Sequence, residues 1–351
     1  MKKLTTVGAV LLTTTSIAHA GGLDRSGQDV SIIFEEGNVA QLSYGYVDPD
    51  LTGIGPNSTF SGSAESGDIA PAYSQLGAGI KVDINERLSV ALILDQPFGA
   101  LVDYDTAGYL LTGTNAKVES TGVTGLVRYK LDDGFSVHGG LRQVSVNGVY
   151  DVVFPGAYES TYSSDSGIGY VIGTAYERPE IALRVALTYS SEIRDFALDG
   201  TAGDLSTDTP QSINLDFQTG VAADTLVFGS VRWVEWGGFQ LVDSVVPQPI
   251  LEYDEDVITY NIGVGRRLSD ALAVSFSVGY EAATDEPTGN LGPTDGYISY
   301  QVGGSYDFGN GLELSGGIRY VDLGDATTEG ISAEFEDNSA LGVGVQVAYN
   351  F

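Results

Sequence analysis

The chain has 351 residues, 47 Asp and Glu against 16 Lys and Arg, and a formal net charge of −31. It has no cysteine and two histidines, His19 and His138, which excludes disulfides and Cys-ligated metal centres and leaves a hydrolase only His138 to work with. The charge argues against nucleic acid as a partner, and a 42% hydrophobic content argues against charge-driven disorder.

Residues 1–20 read as an export signal: Lys2 and Lys3, a short apolar run from Val7 towards Ile17, then Ala18-His19-Ala20 as the cleavage site. Cleavage before Gly21 removes Lys2 and Lys3 and takes the charge from −31 to −33. Residues 21–38 form a short N-terminal segment, and residues 39–351 are read as strand after strand. Strands are predicted over 39–47, 74–83, 88–97, 117–130, 135–147, 165–177, 181–194, 211–221, 225–236, 257–267, 271–281, 297–306, 311–321 and 340–351. In the last, Leu341, Val343, Val345, Val347, Tyr349 and Phe351 alternate with Gly342, Gly344, Gln346, Ala348 and Asn350. One face of each strand is large and apolar, and the other is small, polar or charged.

A soluble sandwich also alternates. Three features favour an apolar face turned outward to lipid: strands longer than the usual ~5–6 residues, glycines and isolated arginines on the opposite face, and Phe351 on an apolar position. Tight connections, such as 84–87, 131–134 and 222–224, alternate with long ones at 48–73, 98–116, 148–164, 195–210, 237–256, 282–296 and 322–339. Short turns at one end and long loops at the other belong to outer-membrane barrels, whose strand number is even. The expected fold is all-β: a 14-stranded antiparallel transmembrane β-barrel with a short plug-like N-terminal segment. The long connections hold 26 acidic residues and no Lys or Arg. Two readings stay open for them. One is a solvated acidic surface; the other is divalent-cation binding that bridges to lipopolysaccharide, with Asp254, Glu255 and Asp256 as candidate ligands. No cofactor is expected.

Ala40 to Asp50, with its Tyr46-Val47-Asp48-Pro49-Asp50 exit, Ile69-Ala70-Pro71, and Pro97-Phe98-Gly99 followed by Asp103-Tyr104-Asp105 resemble landmarks of the FadL family. Pro210 to Leu215 and Trp233-Val234-Glu235-Trp236 do so as well. FadL proteins are outer-membrane transporters of long-chain fatty acids and other hydrophobic compounds. The resemblance spans nearly the whole mature chain. It implies a plugged barrel in the outer membrane of a Gram-negative bacterium, both termini periplasmic. Ligand is captured at extracellular loops and leaves sideways where the third strand kinks. Two departures stand out: only 21–38 precede the first strand, and Glu35-Glu36-Gly37-Asn38 replaces the family's Asn-Pro-Ala segment.

Pro97, Phe98 and Gly99 are the candidate kink, since Pro lacks an N–H and Gly tolerates unusual dihedrals; an ordinary strand exit is the simpler alternative. Alternation places Arg128, His138, Arg142, Arg184, Arg232 and Arg319 on the lumen side, with Glu119, Asp216 and Glu313 as candidate partners. An arginine would hold a fatty-acid carboxylate in a bidentate pair. Phe98, Tyr104, Tyr109, Leu110 and Leu111 are candidates for an apolar surface at the mouth, and Tyr150, Phe154 and Tyr158 for one from the third long loop. Tyr44, Tyr129, Tyr189, Tyr280 and Tyr320 are expected in interfacial girdles. Competing readings are a cation-preferring porin for small polar solutes and a membrane hydrolase or purely structural barrel. The expected partners are fatty acids or hydrocarbons, outer-membrane lipid and lipopolysaccharide, with the chain a monomer.

Overall fold

A computed structural model describes residues 22–351. The expected export signal and Gly21 lie outside the described residues. Fourteen antiparallel strands close into one barrel. They are β1 (Val39–Asp50), β2 (Tyr73–Asp83), β3 (Leu88–Asp95, resuming as Gly99–Asp103), β4 (Asn115–Lys130), β5 (Phe135–Val152), β6 (Tyr158–Arg178) and β7 (Leu183–Ser190). Then come β8 (Ser212–Ala222), β9 (Thr225–Val234), β10 (Val257–Arg267), β11 (Leu272–Glu281), β12 (Tyr297–Asp307), β13 (Leu312–Leu323) and β14 (Ser339–Asn350). Each strand pairs with its sequence neighbours, and β14 returns to β1 with Val39 opposite Asn350 and Asp50 opposite Ser339. Closure leaves no edge, which is the condition for strands to sit in lipid. No helix among the described residues is long and apolar enough to cross a membrane.

The period-two pattern decides which way the wall faces. Leu42, Ile168, Ile172, Ile262 and Val302 are more than half exposed on the outside, while Leu126, Val144, Val171 and Ala186 on the alternate parity are buried. Aromatic side chains gather near both ends of the wall. Phe135 and Tyr176 are 4.8 Å apart and Tyr306 and Phe308 4.9 Å apart at the short-turn end, and Tyr260 pairs with Tyr280 at 6.4 Å nearer the long loops. Tyr44 is not a girdle residue: it lies in the middle of β1, with its hydroxyl 2.8 Å from Ser74 Oγ.

Three stretches differ from the sequence reading. β3 is broken between Asp95 and Gly99 rather than ending at 97. β7 stops at Ser190, and Ile193–Leu198 leaves the wall to join a small sheet with Leu205–Thr209, Phe239–Asp243 and Leu251–Tyr253. Gly167 and Gly169 on β6 make room for it: a Cβ on Gly169 would meet Ile193 at 2.9 Å. Finally, most of the expected third long loop is strand, since β5 runs on to Val152 and β6 begins at Tyr158. A strand of ~9–11 residues crosses a bilayer. The 18 and 21 residues of β5 and β6 therefore overhang, and a bulge between Tyr162 and Asp165 shifts the pairing there, so that Tyr162 turns into the loop core and the wall's alternation does not run on.

The remaining long loops pack into two apolar clusters. Leu51, Ile69, Tyr104, Tyr109, Leu323 and Phe335 belong to the first. Phe98, Tyr162, Phe196, Leu205, Trp236 and Leu251 belong to the second, together with Leu23 of the N-terminal segment.

Candidate functional site

Residues 22–38 run along the inner wall and are pinned to it. Leu23, Val30, Ile32, Ile33 and Phe34 are buried, the last three forming most of a 3-10 turn (Ser31–Phe34). The tightest attachment is at the β3 break. Arg25 N–H donates to the Pro97 carbonyl at 2.8 Å, and Gly99 N–H donates to the Leu23 carbonyl at 2.8 Å. Arg25 Nε donates to the Gly99 carbonyl at 3.1 Å, and Ser26 Oγ bonds Asp95 Oδ2 at 2.6 Å. Backbone groups freed by the break thus find partners on the N-terminal segment, as buried groups must.

The break itself is a one-residue insertion. Asp95 pairs with Gly122 and Gly99 with Glu119, so β3 advances four residues while β4 advances three. The excursion carries β3 away from β2. Their ladder runs from Asp83 opposite Ser89 to Ala78 opposite Leu94 and goes no further. Beyond it the Leu76 N–H is taken by the side chain of Gln96, at 2.9 Å from Oε1. An unpaired backbone group in lipid costs several kcal/mol, so this side-chain cap is what makes a gap there tolerable. A cavity passes through this region. Its lining includes Ser26, Asp29, Gln75 and Asp95 from the lumen, and Leu76 and Leu94 from the outer face.

The expected lumen cations are all on the inner face, three of them around Phe34 and the others apart. Arg128 and Arg184 lie 4.7 and 5.2 Å from the ring centre of Phe34, and the His138 ring meets Phe34 edge-on at 5.3 Å. His138 Nε2 is 3.0 Å from the Thr188 hydroxyl, a structural contact rather than a Ser/Asp relay. Arg142 donates to Thr124 Oγ1 at 2.7 Å and reaches the Gln28 carbonyl at 3.4 Å. Arg232 is paired with Asp24, and Arg319 donates to Ser299 Oγ at 3.0 Å. Among the expected carboxylate partners, Glu119 is corrected here. Arg128 pairs with Glu177 and Arg232 with Asp24. Glu119 has the parity of outward-facing Val123 and Val127 and pairs with Lys117 at 2.8 Å. Asp24 was missed because it lies before the first strand, where alternation says nothing. Burial pushes the Glu35 carboxyl up, against the pull of Arg184 and Lys81.

The expected apolar residues divide between the two clusters. Phe98 is 5.9 Å from Trp236 in the second. Tyr104 stacks on Tyr109 at 5.5 Å in the first, its hydroxyl donating to the Asn290 carbonyl at 2.6 Å, and Phe154 packs against the same cluster. Leu110 is buried beside them in sequence, its N–H on the Pro56 carbonyl. A small apolar cavity lies under the loops, lined by Leu23, Ala100, Val118, Tyr150, Tyr162 and Leu251 among others. Of these, only Tyr150 carried a signal in the sequence.

Asp254, Glu255 and Asp256 follow one another in the loop between β9 and β10. No three acidic or His side chains converge for a metal among the described residues. Asp256 is occupied by Trp233 Nε1 at 3.0 Å and Gly237 N–H at 3.1 Å. Other loop carboxylates are likewise ties. Asp243 accepts from Tyr158 at 2.6 Å, Tyr162 at 2.8 Å and the N–H groups of Val245 and Val246. Burial raises its pKa, but these four donors outweigh that and hold the carboxyl below the usual range.

Among solved structures, a Pseudomonas aeruginosa FadL homologue is similar at 16% identity and a TM-score of 0.78, covering 97% of this chain and 98% of that one. The Pseudomonas putida toluene transporter TodX is similar at 12% identity and 0.66, covering 95% and 96%. The Ralstonia pickettii toluene transporter TbuX is similar at 14% and 0.61, covering 90% of each chain. At such identities the likeness carries the fold alone. No curated protein matches. The family model described as outer membrane protein transport protein (OMPP1/FadL/TodX) matches residues 31–351. The chain therefore belongs to the OMPP1/FadL/TodX family of outer-membrane transport proteins, which carry hydrophobic compounds.

Proposed function

We propose that the chain, as a monomer, brings long-chain fatty acids or similar hydrocarbons across the outer membrane and releases them sideways through the β2–β3 gap. In this reading the long loops are extracellular, amid lipopolysaccharide, and both termini are periplasmic. Ligand passes from the loop clusters to the apolar cavity beneath them, and residues 22–38 act as the plug. The observation that carries the reading is the break at Gln96-Pro97-Phe98, with a cavity reaching from the lumen to lipid-facing Leu76 and Leu94. A pore filled with water would serve such ligands poorly, because each CH₂ kept in water costs ~0.8 kcal/mol. The pinning of residues 22–38 on both sides of the break supports a plug that reports to the exit.

The chain has no native cysteine, so the gap can be closed reversibly. Leu76→Cys with Gln96→Cys places thiols across it. Oxidation should cut uptake of a radiolabelled long-chain fatty acid by cells at least about fivefold, and reductant should restore it. Uptake indifferent to cross-linking, with the cross-link verified on the purified barrel, removes the lateral route and favours an axial exit.

A further inference from the structure

The gap that should pass hydrocarbon is lined with polar groups. On β2, Gln75 points inward, and its Nε2 is buried with no hydrogen-bond partner among the described residues. On β3, Asp95 is 8% exposed; one carboxylate oxygen is held by Ser26, and the other, Oδ1, is likewise buried without a partner. Both residues line the same cavity. A buried polar atom left unpaired is costly, and here an orphan donor and an orphan acceptor flank one opening. The polarity continues through the wall. Gln96 sits in the gap, and the Tyr44 and Ser74 hydroxyls, 2.8 Å apart, stand at its exposed outer lip beside Leu76. Polar side chains turned towards lipid are expensive and tend to be functional.

We propose that Gln75 and Asp95 form a station for the head group of an amphiphile, a hydroxyl or a protonated carboxylic acid, whose hydrocarbon tail passes between Leu76 and Leu94. Such a head both donates and accepts: its O–H serves Asp95 Oδ1 and its oxygen accepts from Gln75 Nε2. A plain hydrocarbon satisfies neither atom, and a carboxylate meets repulsion from Asp95 unless it brings a proton. The head leaves the lumen last, along Gln96 and the Tyr44–Ser74 pair. The proposal rests on the lateral-release reading and narrows its substrates from hydrophobic compounds in general to chains with one small hydrogen-bonding end.

The test compares cellular uptake of labelled 1-hexadecanol, hexadecanoic acid and n-hexadecane by wild type, Gln75→Leu, and Gln75→Leu with Asp95→Leu. Heat-dependent gel mobility checks barrel assembly. The expected result is that the alcohol-to-alkane and acid-to-alkane ratios fall about tenfold in Gln75→Leu, the scale of one lost hydrogen bond, and further in the double variant. If the double variant does not assemble, Gln75→Leu decides alone, because it leaves the Ser26–Asp95 bond in place. Ratios equal to wild type overturn the head-group station and leave transport standing, as expected if only water bridges the two atoms. Wild-type cells that take up none of the three beyond cells lacking the protein overturn the transport reading itself, and the station with it.

Discussion

A Cβ at residue 99 would lie 2.7 Å from the guanidinium carbon of Arg25. Gly99 is not among the glycines with left-handed backbone, so its role is to leave room for the N-terminal segment, not to supply an unusual dihedral. Overpacking of this kind costs about 1–3 kcal/mol. Gly99→Ala should therefore lower the barrel's thermal midpoint, and Arg25→Ala in the same chain should recover much of the loss. A double-mutant cycle measures the coupling; additive effects would mean that the two residues do not press on each other. The sequence pointed to Pro97-Phe98-Gly99 because a missing N–H is a local property, and the strand is interrupted over 96–98. It was silent on Arg25, since that contact spans 74 positions and no periodicity links the two. Lumen arginines were legible for the opposite reason: parity along a strand fixes the side of the wall. Their partners were not, because Asp24 belongs to no strand.

At the scale of elements, the small sheet of residues 193–253 is held at Asp243. Its carboxylate is the common acceptor of two tyrosine hydroxyls and two backbone N–H groups. The folded pKa lies below the unfolded value, about 3.9. The stabilisation is therefore present above pH ~4 and is lost as pH falls through the folded pKa. Amide exchange over 239–253, corrected for intrinsic rate, should be flat from pH 7 to 5 and should rise below pH ~4. In Asp243→Asn that acid step should vanish, with protection already reduced at neutral pH. A step that persists in the variant would place the titrating group elsewhere. This sheet was not foreseen because its strands are short and far apart in sequence. The acidic run around it invited a cation reading, but carboxylates near free backbone N–H groups more readily become turn and loop acceptors. The wall strands were legible almost to the residue wherever one face meets lipid, and β5 and β6 were cut short where that contrast ends.

For the whole molecule, the decisive feature is how unevenly the lumen is filled. Residues 22–38 lean on the inner faces of β2 to β9, among Lys81, Arg128, Arg142, Arg184 and Arg232. Opposite them the inner faces of β10 to β14 carry small residues such as Gly263, Gly279, Gly303 and Gly344. The N-terminal segment is thus the main bulk between a cationic wall and one of mostly small side chains. Breaking a buried pair such as Asp24–Arg232 costs about 3–5 kcal/mol, so the segment should stay seated and the wild-type protein should conduct little in planar bilayers. Deleting residues 22–36 removes that bulk, along with Asp24, Asp29, Glu35 and Glu36 and only one cation, Arg25. The deleted protein should open steps of large, steady conductance. The freed arginines should also shift the reversal potential towards anions, even though the loop end remains acidic. Charge rings at the narrowest part of a path outweigh those at a wide mouth, because the ion is least hydrated there. A large channel that keeps a cation preference would mean that ions bypass the arginine wall. An intact barrel with no gain in conductance would mean that the packed loops, not residues 22–38, seal the lumen.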